Sequence, residues 1–154
     1  MIDFIEKVIS TQPFVVQRAI RWADCDPAGV AYAGRYPEYL IDAVMHFLSH
    51  LGYGIGNDGK WQTNPLGLPC KHMQLTFHTS LFPDDVVNIA IGVTGIRKRT
   101  FDIGAIARLP DGKLAFEGVF SPICVEPSSR TSTAIPTDLR RALELHVQPR
   151  RTPA

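Results

Sequence analysis

The residues best suited to chemistry are grouped at the start of the stretch RWADCDPAGVAYAGRYPEYL, which spans residues 21–40. Asp24, Cys25 and Asp26 offer two carboxylates and a thiol at three successive positions, directly before a Pro-Ala-Gly bend. A positioned carboxylate can act as a general base or a nucleophile, and a thiol can act as a nucleophile or a metal ligand. The stretch is therefore compatible with a turn, a metal site, a redox thiol or a catalytic carboxylate.

The surroundings of the three side chains help to separate these possibilities. Cys25 has no histidine in a local motif, and strand alternation would point it away from both acids, so we interpret it as a packing residue. Asp24 is interpreted mainly as a scaffold that accepts backbone hydrogen bonds, with charge coupling to its neighbour Asp26 as the alternative. Asp26 precedes a proline, so an Asx turn competes with a catalytic role for this residue.

The predicted elements on either side determine where the acids lie. Residues 14–23 alternate as a strand, and residues 24–34 form a loop rich in small residues. Apolar residues then recur at helical spacing from Tyr36 to Leu51, which predicts a long helix beginning near Arg35. Strands are predicted at 73–80, 86–96, 100–109 and 114–125, a closing helix at about 136–146, and a short helical segment at 2–10.

This order predicts one α+β domain over residues 1–154, in which the long helix and an antiparallel sheet bury each other's apolar faces. Apolar residues make up 45% of the chain, charged residues 20%, and the net charge is +1, which disfavours a nucleic-acid binder. Apolar runs are too short to span a membrane, and the N-terminus does not resemble a secretory signal. Because three cysteines without a CxxC pair indicate neither disulfides nor a zinc ribbon, we expect a cytoplasmic protein.

The string Asp24-Cys25-Asp26-Pro27-Ala28-Gly29-Val30 resembles the active-site signature of the 4-hydroxybenzoyl-CoA thioesterase family, whose members have the hot-dog fold. The similarity, which covers about residues 14–126, is supported by residues 82–86, residues 97–101 and the helix residues Tyr36 and Leu40. The resemblance implies a long central helix wrapped by a twisted antiparallel sheet, with active sites between the subunits of a homodimer or dimer of dimers. The sequence departs from the family at Ala33-Gly34-Arg35, where an aromatic residue, Pro and Asn are common.

The resemblance also implies an acyl-CoA thioesterase, which uses water to cleave an acyl- or aroyl-CoA to a carboxylate and free CoA. Asp26 would be the nucleophile or general base, and the backbone N–H of Ala33 or Gly34 at the helix start would stabilise the developing oxyanion. No metal or cofactor beyond the CoA of the substrate is implied. The expected substrate contacts, several of them suited to CoA phosphates, are Arg97, Lys98, Arg99, Thr100 and Tyr32.

Two other functions remain open at this point. A non-catalytic acyl-CoA binding module would keep the fold and the phosphate contacts without turnover. A hydroxyacyl-thioester dehydratase of the same fold would need a histidine facing a carboxylate across the subunit interface, and the acid loop contains no histidine. An acyl carrier protein could also replace CoA as the donor of the acyl group.

Two further patterns have simpler explanations than a functional site. His46 and His50 have metal-ligand spacing on the helix, but no third ligand accompanies them, and Asp42 favours a surface pair with His46. The run GIGNDGK at residues 54–60 matches a nucleotide-binding glycine pattern, yet it follows a helix rather than a strand. We interpret this run as a flexible loop, after which Trp61 could cover the acyl group.

Overall fold

The computed structural model describes residues 2–54, 58–60 and 65–149, which contain two α-helices and one six-stranded antiparallel sheet. Single-turn 3-10 helices at Trp22–Asp24 and Ala33–Arg35 flank the loop that carries the acids. The strands lie in the order β1-β2-β4-β5-β6-β3. In chain order the elements are β1 (Glu6–Thr11), β2 (Phe14–Ala19), α1 (Tyr36–His50), β3 (Cys70–Phe77), β4 (Val86–Ile96), β5 (Phe101–Arg108), β6 (Leu114–Pro122) and α2 (Thr137–Glu144).

The long helix α1 forms as its apolar spacing predicts. Pro37 lies in the first turn, where its missing N–H costs no helical hydrogen bond. The helix buries one stripe against the sheet, and Gly118 on β6 allows this close packing, because an added Cβ there would lie 3.1 Å from a methyl of Leu40. The buried stripe consists of Tyr36, Tyr39, Leu40, Ala43, Val44, Phe47 and Leu48.

The sheet presents its apolar side to α1. On β5, burial alternates strictly, so that Phe101, Ile103, Ala105 and Ala107 face the helix. The strand positions between them, including Asp102, face the opposite side of the sheet. One helix packed on one antiparallel sheet confirms the predicted α+β arrangement.

The predicted helical segment at residues 2–10 is wrong, because no helix forms there and Glu6–Thr11 is the strand β1. The strand pairs antiparallel with β2, with Glu6 opposite Arg18 and Thr11 opposite Phe14. Ile5, Val8 and Ile9 recur at helical spacing, whereas pairing with a neighbouring strand decides the conformation. Other boundaries shift by a few residues: β2 ends at Ala19, β3 spans Cys70–Phe77 and β6 ends at Pro122.

A charged network fastens β1 and β2 to α1. The guanidinium of Arg18, which is 5% exposed, donates from Nη1 to Glu6 at 2.9 Å and to Asp42 at 3.0 Å. Nε2 of His46 lies 2.9 Å from the second carboxylate oxygen of Glu6. The predicted pairing of His46 with Asp42 is therefore wrong: His46 pairs with a strand residue, and Asp42 pairs with Arg18.

Raising the pH from 6 to 8.5 is expected to weaken this network. The hydrogen bond to Glu6 raises the pKa of His46 above its usual 6.5, so the stabilisation by charged His46 is present below 6.5 and is lost as the pH rises through the raised value. The same bond lowers the pKa of Glu6 below its usual 4.5, so the contribution of that carboxylate is lost only as the pH falls through the lowered value. The His46–Glu6 pair therefore stabilises the fold most between about pH 4.5 and 6.5, where both side chains are charged.

Urea unfolding of the wild type and of His46→Gln at both pH values measures this effect. A partly exposed ion pair contributes about 0.2–1 kcal/mol. The wild type is expected to lose that much more unfolding free energy between pH 6 and 8.5 than the variant does, and the remaining histidines cancel in the comparison. Equal losses in the two proteins would show that the His46–Glu6 pair does not stabilise the fold.

Candidate active site

The acids lie in a tight hairpin, residues 25–31, which we call the acid hairpin. Cys25 and Ala31 form an antiparallel bridge, and the N–H of Asp26 donates to the carbonyl of Val30 at 3.0 Å. The N–H of Gly29 donates back to the carbonyl of Asp26 at 2.9 Å, with Gly29 in the left-handed region at φ 82°. This is a three-residue hairpin loop that ends in a glycine bulge, which explains why a Pro-Ala-Gly bend follows the acid.

The side chain of Asp26 has one oxygen that is used by the turn and one that is not. Its Oδ1 accepts a hydrogen bond from the N–H of Ala28 at 2.8 Å, so the Asx turn that the sequence allows is present. No described residue donates to its Oδ2. The turn therefore fixes the orientation of the carboxylate, and the second oxygen remains available to a substrate or a water molecule.

The start of the long helix presents unused backbone donors. The 3-10 turn Ala33–Arg35 leads directly into α1, with the N–H of Arg35 bonded to the carbonyl of Tyr32 at 2.9 Å. Within the described ranges, the N–H groups of Ala33 and Gly34 donate to no protein acceptor, and both residues are exposed. Such groups at a helix start favour an oxygen that carries negative charge.

Tyr32 lies across this helix start. Its side chain is half exposed, and its ring packs directly on the Cα of Gly34. A Cβ added at Gly34 would overlap the tyrosine ring, so only glycine allows the ring this position. The predicted substrate contact Tyr32 and the predicted oxyanion donor Gly34 are thus direct neighbours.

Asp24 is a buried scaffold residue, as predicted. Only 1% of it is exposed, its Oδ2 accepts the N–H of Arg21 at 2.9 Å, and its carbonyl accepts the N–H of Tyr32 at 3.0 Å. The neighbouring Cys25 is partly buried, with its Sγ 3.5 Å from the carbonyl of Arg21. Burial, and then the charges of Asp24 and Asp26, raise the pKa of the Cys25 thiol, which disfavours the reactive thiolate.

The predicted phosphate contacts lie in the turn at residues 97–100 between β4 and β5, which we call the basic hairpin. Arg97 is engaged within it: Nε donates to Thr100 Oγ1 at 2.7 Å, and Nη1 and Nη2 bind the Asp102 carboxylate at 2.9 and 2.6 Å. Arg99 donates to the hydroxyl of Ser132 at 3.0 Å, and the Lys98 ammonium has no partner in the described chain. Lys98 and Arg99 therefore carry the accessible positive charge of this turn.

The acid hairpin and the basic hairpin lie at opposite ends of the folded chain. Tyr36, at the start of α1, packs on Phe77 and Phe116 with ring centroids 4.7 and 5.2 Å apart. Phe116 pairs with Ala107, six residues along β5 from Phe101, where the basic hairpin ends. At about 3.3 Å per residue, this stretch of β5 separates the helix start, beside the acid hairpin, from the basic hairpin by roughly 20 Å. The structure thus brings Asp26 near Ala33, Gly34 and Tyr32, but not near Arg97–Thr100.

Exposed aromatic side chains surround the acid hairpin. Phe77 lies on the helix side of the sheet, where it packs on Tyr36, but it is exposed because β3 is an edge strand. Clustered apolar exposure of this kind marks a binding surface more often than single exposed side chains do. The cluster, each member at least half exposed, consists of Trp22, Tyr32, Phe77 and Phe82. The predicted covering residue, Trp61, lies outside the described residues.

Other kinds of site receive little support from the described part of the chain. There, no three His, Cys, Asp or Glu side chains converge as a metal site requires. Neither described helix is long and apolar enough to cross a membrane. A groove of about 760 Å³ lies on the sheet face opposite α1, with His72, Thr76 and Glu117 among its lining residues, and it contains none of the predicted site residues.

Comparison with curated proteins finds a relative whose name describes a CoA-thioester hydrolase. A 1,4-dihydroxy-2-naphthoyl-CoA hydrolase from Microcystis aeruginosa is 25% identical to this chain over 127 residues. The matched region covers 82% of this chain and 90% of that protein. The similarity therefore extends over nearly the whole of the relative.

Solved structures and a family model complete the comparison. A thioesterase-superfamily protein from Jannaschia superposes with a TM-score of 0.80 at 22% identity, over 90% of this chain and 96% of that one. A 1,4-dihydroxy-2-naphthoyl-CoA thioesterase from Synechocystis gives 0.72 at 19% identity, over 84% and 94%. These likenesses confirm the predicted hot-dog fold. The model of the Thioesterase-like superfamily matches residues 20–143, from just after β2 into α2, and the chain therefore belongs to that superfamily.

Proposed function

We propose that this chain hydrolyses acyl-CoA or aroyl-CoA thioesters to a carboxylate and free CoA. The observation that carries the proposal is the Asp26 carboxylate, which is oriented through one oxygen by its own hairpin. The 3-10 turn that follows offers the unused N–H groups of Ala33 and Gly34. Thioester hydrolysis needs these two components, a base or nucleophile and donors for the carbonyl oxygen as it gains charge.

Two routes use the same residues. In the first, Asp26 removes a proton from a water molecule, whose oxygen attacks the thioester carbonyl. In the second, Asp26 attacks the carbonyl itself to form a mixed anhydride, which water then hydrolyses. In both routes the carbon–sulfur bond breaks, the sulfur leaves as the thiolate of CoA and takes up a proton, and the acyl group gains the oxygen of water. Neither route requires a cofactor beyond the CoA of the substrate.

Exposed aromatic side chains favour a bulky or aromatic acyl group. Trp22, Tyr32 and Phe77 lie at the end of the molecule that holds the acid hairpin, where the acyl group would be cleaved. Aromatic rings stack on flat apolar groups and exclude water from them. The names of the Microcystis and Synechocystis relatives also describe an aroyl-CoA substrate.

We further propose that the site is completed by a second subunit. Strand β3 lies at one edge of the sheet, and among the described residues it pairs only with β6. It runs from Cys70, opposite Pro122 on β6, to Phe77, beside the start of α1. If two copies joined their β3 edges antiparallel, the Phe77 end of one copy would meet the Cys70 end of the other.

This pairing would remove the separation between the two hairpins. The Cys70 end of β3 lies near the basic hairpin, because Thr100 bridges to Ile123, one residue after the end of β6. The acid hairpin of one subunit would therefore approach the basic hairpin of its partner. Such a homodimer, alone or within a dimer of dimers, would supply Asp26 from one subunit and the phosphate contacts Lys98 and Arg99 from the other.

A test of the phosphate contacts follows from this arrangement. Lys98→Gln and Arg99→Gln are each expected to raise KM for an acyl-CoA about three- to tenfold, because each removes one charged contact to phosphate. A thioester of N-acetylcysteamine, which lacks the nucleotide, should show no change. Lys7→Gln, on the exposed outer edge of β1, is the control for loss of one charge. An equal rise in KM for the truncated thioester would contradict phosphate binding.

A reducing, cytoplasmic location is also part of the proposal. The structure forms no disulfide between Cys25, Cys70 and Cys124, which are all free thiols. Cys124 is fully buried, and burial raises its pKa to about 11, which keeps the thiol protonated and unreactive.

A thiol-release screen tests the proposed activity directly. Wild-type protein is mixed with short, long, branched and aromatic acyl-CoAs, and the free thiol of CoA is measured with a chromogenic disulfide. Turnover of at least one class is expected. Binding of CoA without thiol release from any of them would instead support the non-catalytic module, and formation of an enoyl thioester from a hydroxyacyl-CoA would support the dehydratase.

A further inference from the structure

Arg35 connects the two sides of the candidate site. Its Nη1 donates to Glu38 at 2.9 Å in the first turn of α1, and its Nη2 donates to the carbonyl of Ala23 at 3.3 Å. Its Nε lies 3.8 Å from the Oδ1 of Asp24. One guanidinium therefore contacts the residues just before the acid hairpin and the helix that begins just after it.

The segment between these contacts carries every group that the proposed reaction uses in this subunit. It includes the carboxylate of Asp26 and the N–H groups of Ala33 and Gly34. Two backbone hydrogen bonds also connect the ends of this segment. The N–H of Tyr32 donates to the carbonyl of Asp24, and the N–H of Arg35 donates to the carbonyl of Tyr32. The side chain of Arg35 thus closes a loop that holds the carboxylate and the oxyanion donors.

A buried polar cluster lies beneath this contact. Asp24 Oδ1, Arg35 Nε and the Tyr39 hydroxyl are all buried without a hydrogen bond of regular geometry to a described residue, and the Tyr39 hydroxyl faces the Asp24 carboxylate. Burial, and then the charge of Asp24, raise the pKa of Tyr39, so the phenol stays protonated and can donate. Buried polar groups that face one another in this way are satisfied by a bridging water or by a small closing movement. Either would strengthen the hold of Asp24 on Arg35.

We propose that Arg35 is a positioning residue for the hydrolysis, holding the Asp26 carboxylate at a fixed distance from the N–H groups of Ala33 and Gly34. The inference rests on the proposed function for its catalytic consequence. These contacts require a planar guanidinium group, because its three nitrogens face Glu38, Ala23 and Asp24 at the same time. A lysine presents a single nitrogen and can keep only part of this geometry.

The kinetic test compares Arg35→Gln and Arg35→Lys with Arg21→Gln. Displacing a catalytic group by about 1 Å can cost 10²-fold, so kcat of Arg35→Gln is expected to fall about 10- to 100-fold while KM stays within about twofold. Arg35→Lys should recover part of kcat. Arg21 is the matched control, because its guanidinium lies 3.7 Å from the same Asp24 oxygen, but its side chain is 47% exposed and its guanidinium donates no hydrogen bond among the described residues. Its variant should keep wild-type kcat.

Amide hydrogen exchange tests the same contact without any substrate. The N–H groups of Asp26 and Tyr32 are bonded within the closed segment, so they should exchange faster in Arg35→Gln than in the wild type or Arg21→Gln. Unchanged exchange would overturn the proposal, as would faster exchange with an unchanged kcat, or a raised KM at constant kcat. If the wild type turns over no thioester, the proposed function fails and the exchange result alone decides whether Arg35 holds the segment.

Discussion

Asp26→Asn is expected to lower kcat by roughly 10²- to 10⁴-fold for any acyl-CoA that the wild type hydrolyses. An asparagine side-chain oxygen can still accept the N–H of Ala28, which lies 2.8 Å from Asp26 Oδ1, so the acid hairpin should persist. The amide has no charge, accepts a proton poorly and is a poor nucleophile, so both routes to hydrolysis would be blocked. Thiol release under saturating substrate measures the effect.

Asp111 supplies a matched control for this substitution. Its Oδ1 accepts the N–H of Lys113 at 2.9 Å in the β5–β6 turn, which is the same local hydrogen bond that Asp26 makes with Ala28. Asp111→Asn should therefore keep wild-type kcat and a wild-type midpoint of thermal unfolding. If Asp26→Asn also kept kcat within about twofold, Asp26 would be a turn residue and the proposed mechanism would be wrong.

Phe47→Ala is expected to lower the free energy of unfolding by about 3–5 kcal/mol. Phe47 is completely buried in α1, with its ring centroid 5.3 Å from that of Phe14 on β2 and 5.1 Å from that of His146. Removing the ring would leave a cavity between the helix, the sheet and the segment after α2, and these rigid elements cannot close it. Equilibrium unfolding in urea measures the loss.

Met45 provides the comparison on the same helix. It lies two residues before Phe47, and 42% of it is exposed, so Met45→Ala removes few contacts and should change the unfolding free energy by about 0.5 kcal/mol or less. Met45→Ala thus serves as a control for placing an alanine in α1 outside the core. Similar losses for both would contradict the packing of α1 on the sheet described here.

The fold could be predicted where the local pattern and the tertiary contacts favour the same conformation. For α1, apolar positions recur over four turns, Pro37 suits the first turn, and Gly52 follows the last. Around β1, by contrast, Ile5, Val8 and Ile9 recur at helical spacing, and only pairing with β2 decides the conformation. The missed strand also explains the wrong partner for His46, since Glu6 reaches that histidine only from β1.

The candidate site was predictable to the extent that its geometry is local. A proline, an alanine and a glycine after Asp26 specify the acid hairpin within five residues, as the structure shows. The engagement of Arg97 by Asp102 depends on the register of β4 and β5, which shifts at a bulge between Val93 and Gly95. The separation of the two hairpins, roughly 20 Å, also depends on register, so the sequence did not show that the predicted carboxylate and the predicted phosphate contacts lie at opposite ends of the folded chain.

The contact between Tyr32 and Gly34 limits how this sequence could change over evolutionary time. Because the tyrosine ring occupies the space of a Cβ at Gly34, any side chain at position 34 requires the ring to move or to be lost. The family pattern described above has its aromatic residue one position later, followed by a proline. Position 34 can therefore change only where the half-exposed ring of Tyr32 turns aside or is replaced by a smaller side chain. The residues at positions 32 and 34 are thus expected to vary in a correlated way among related sequences.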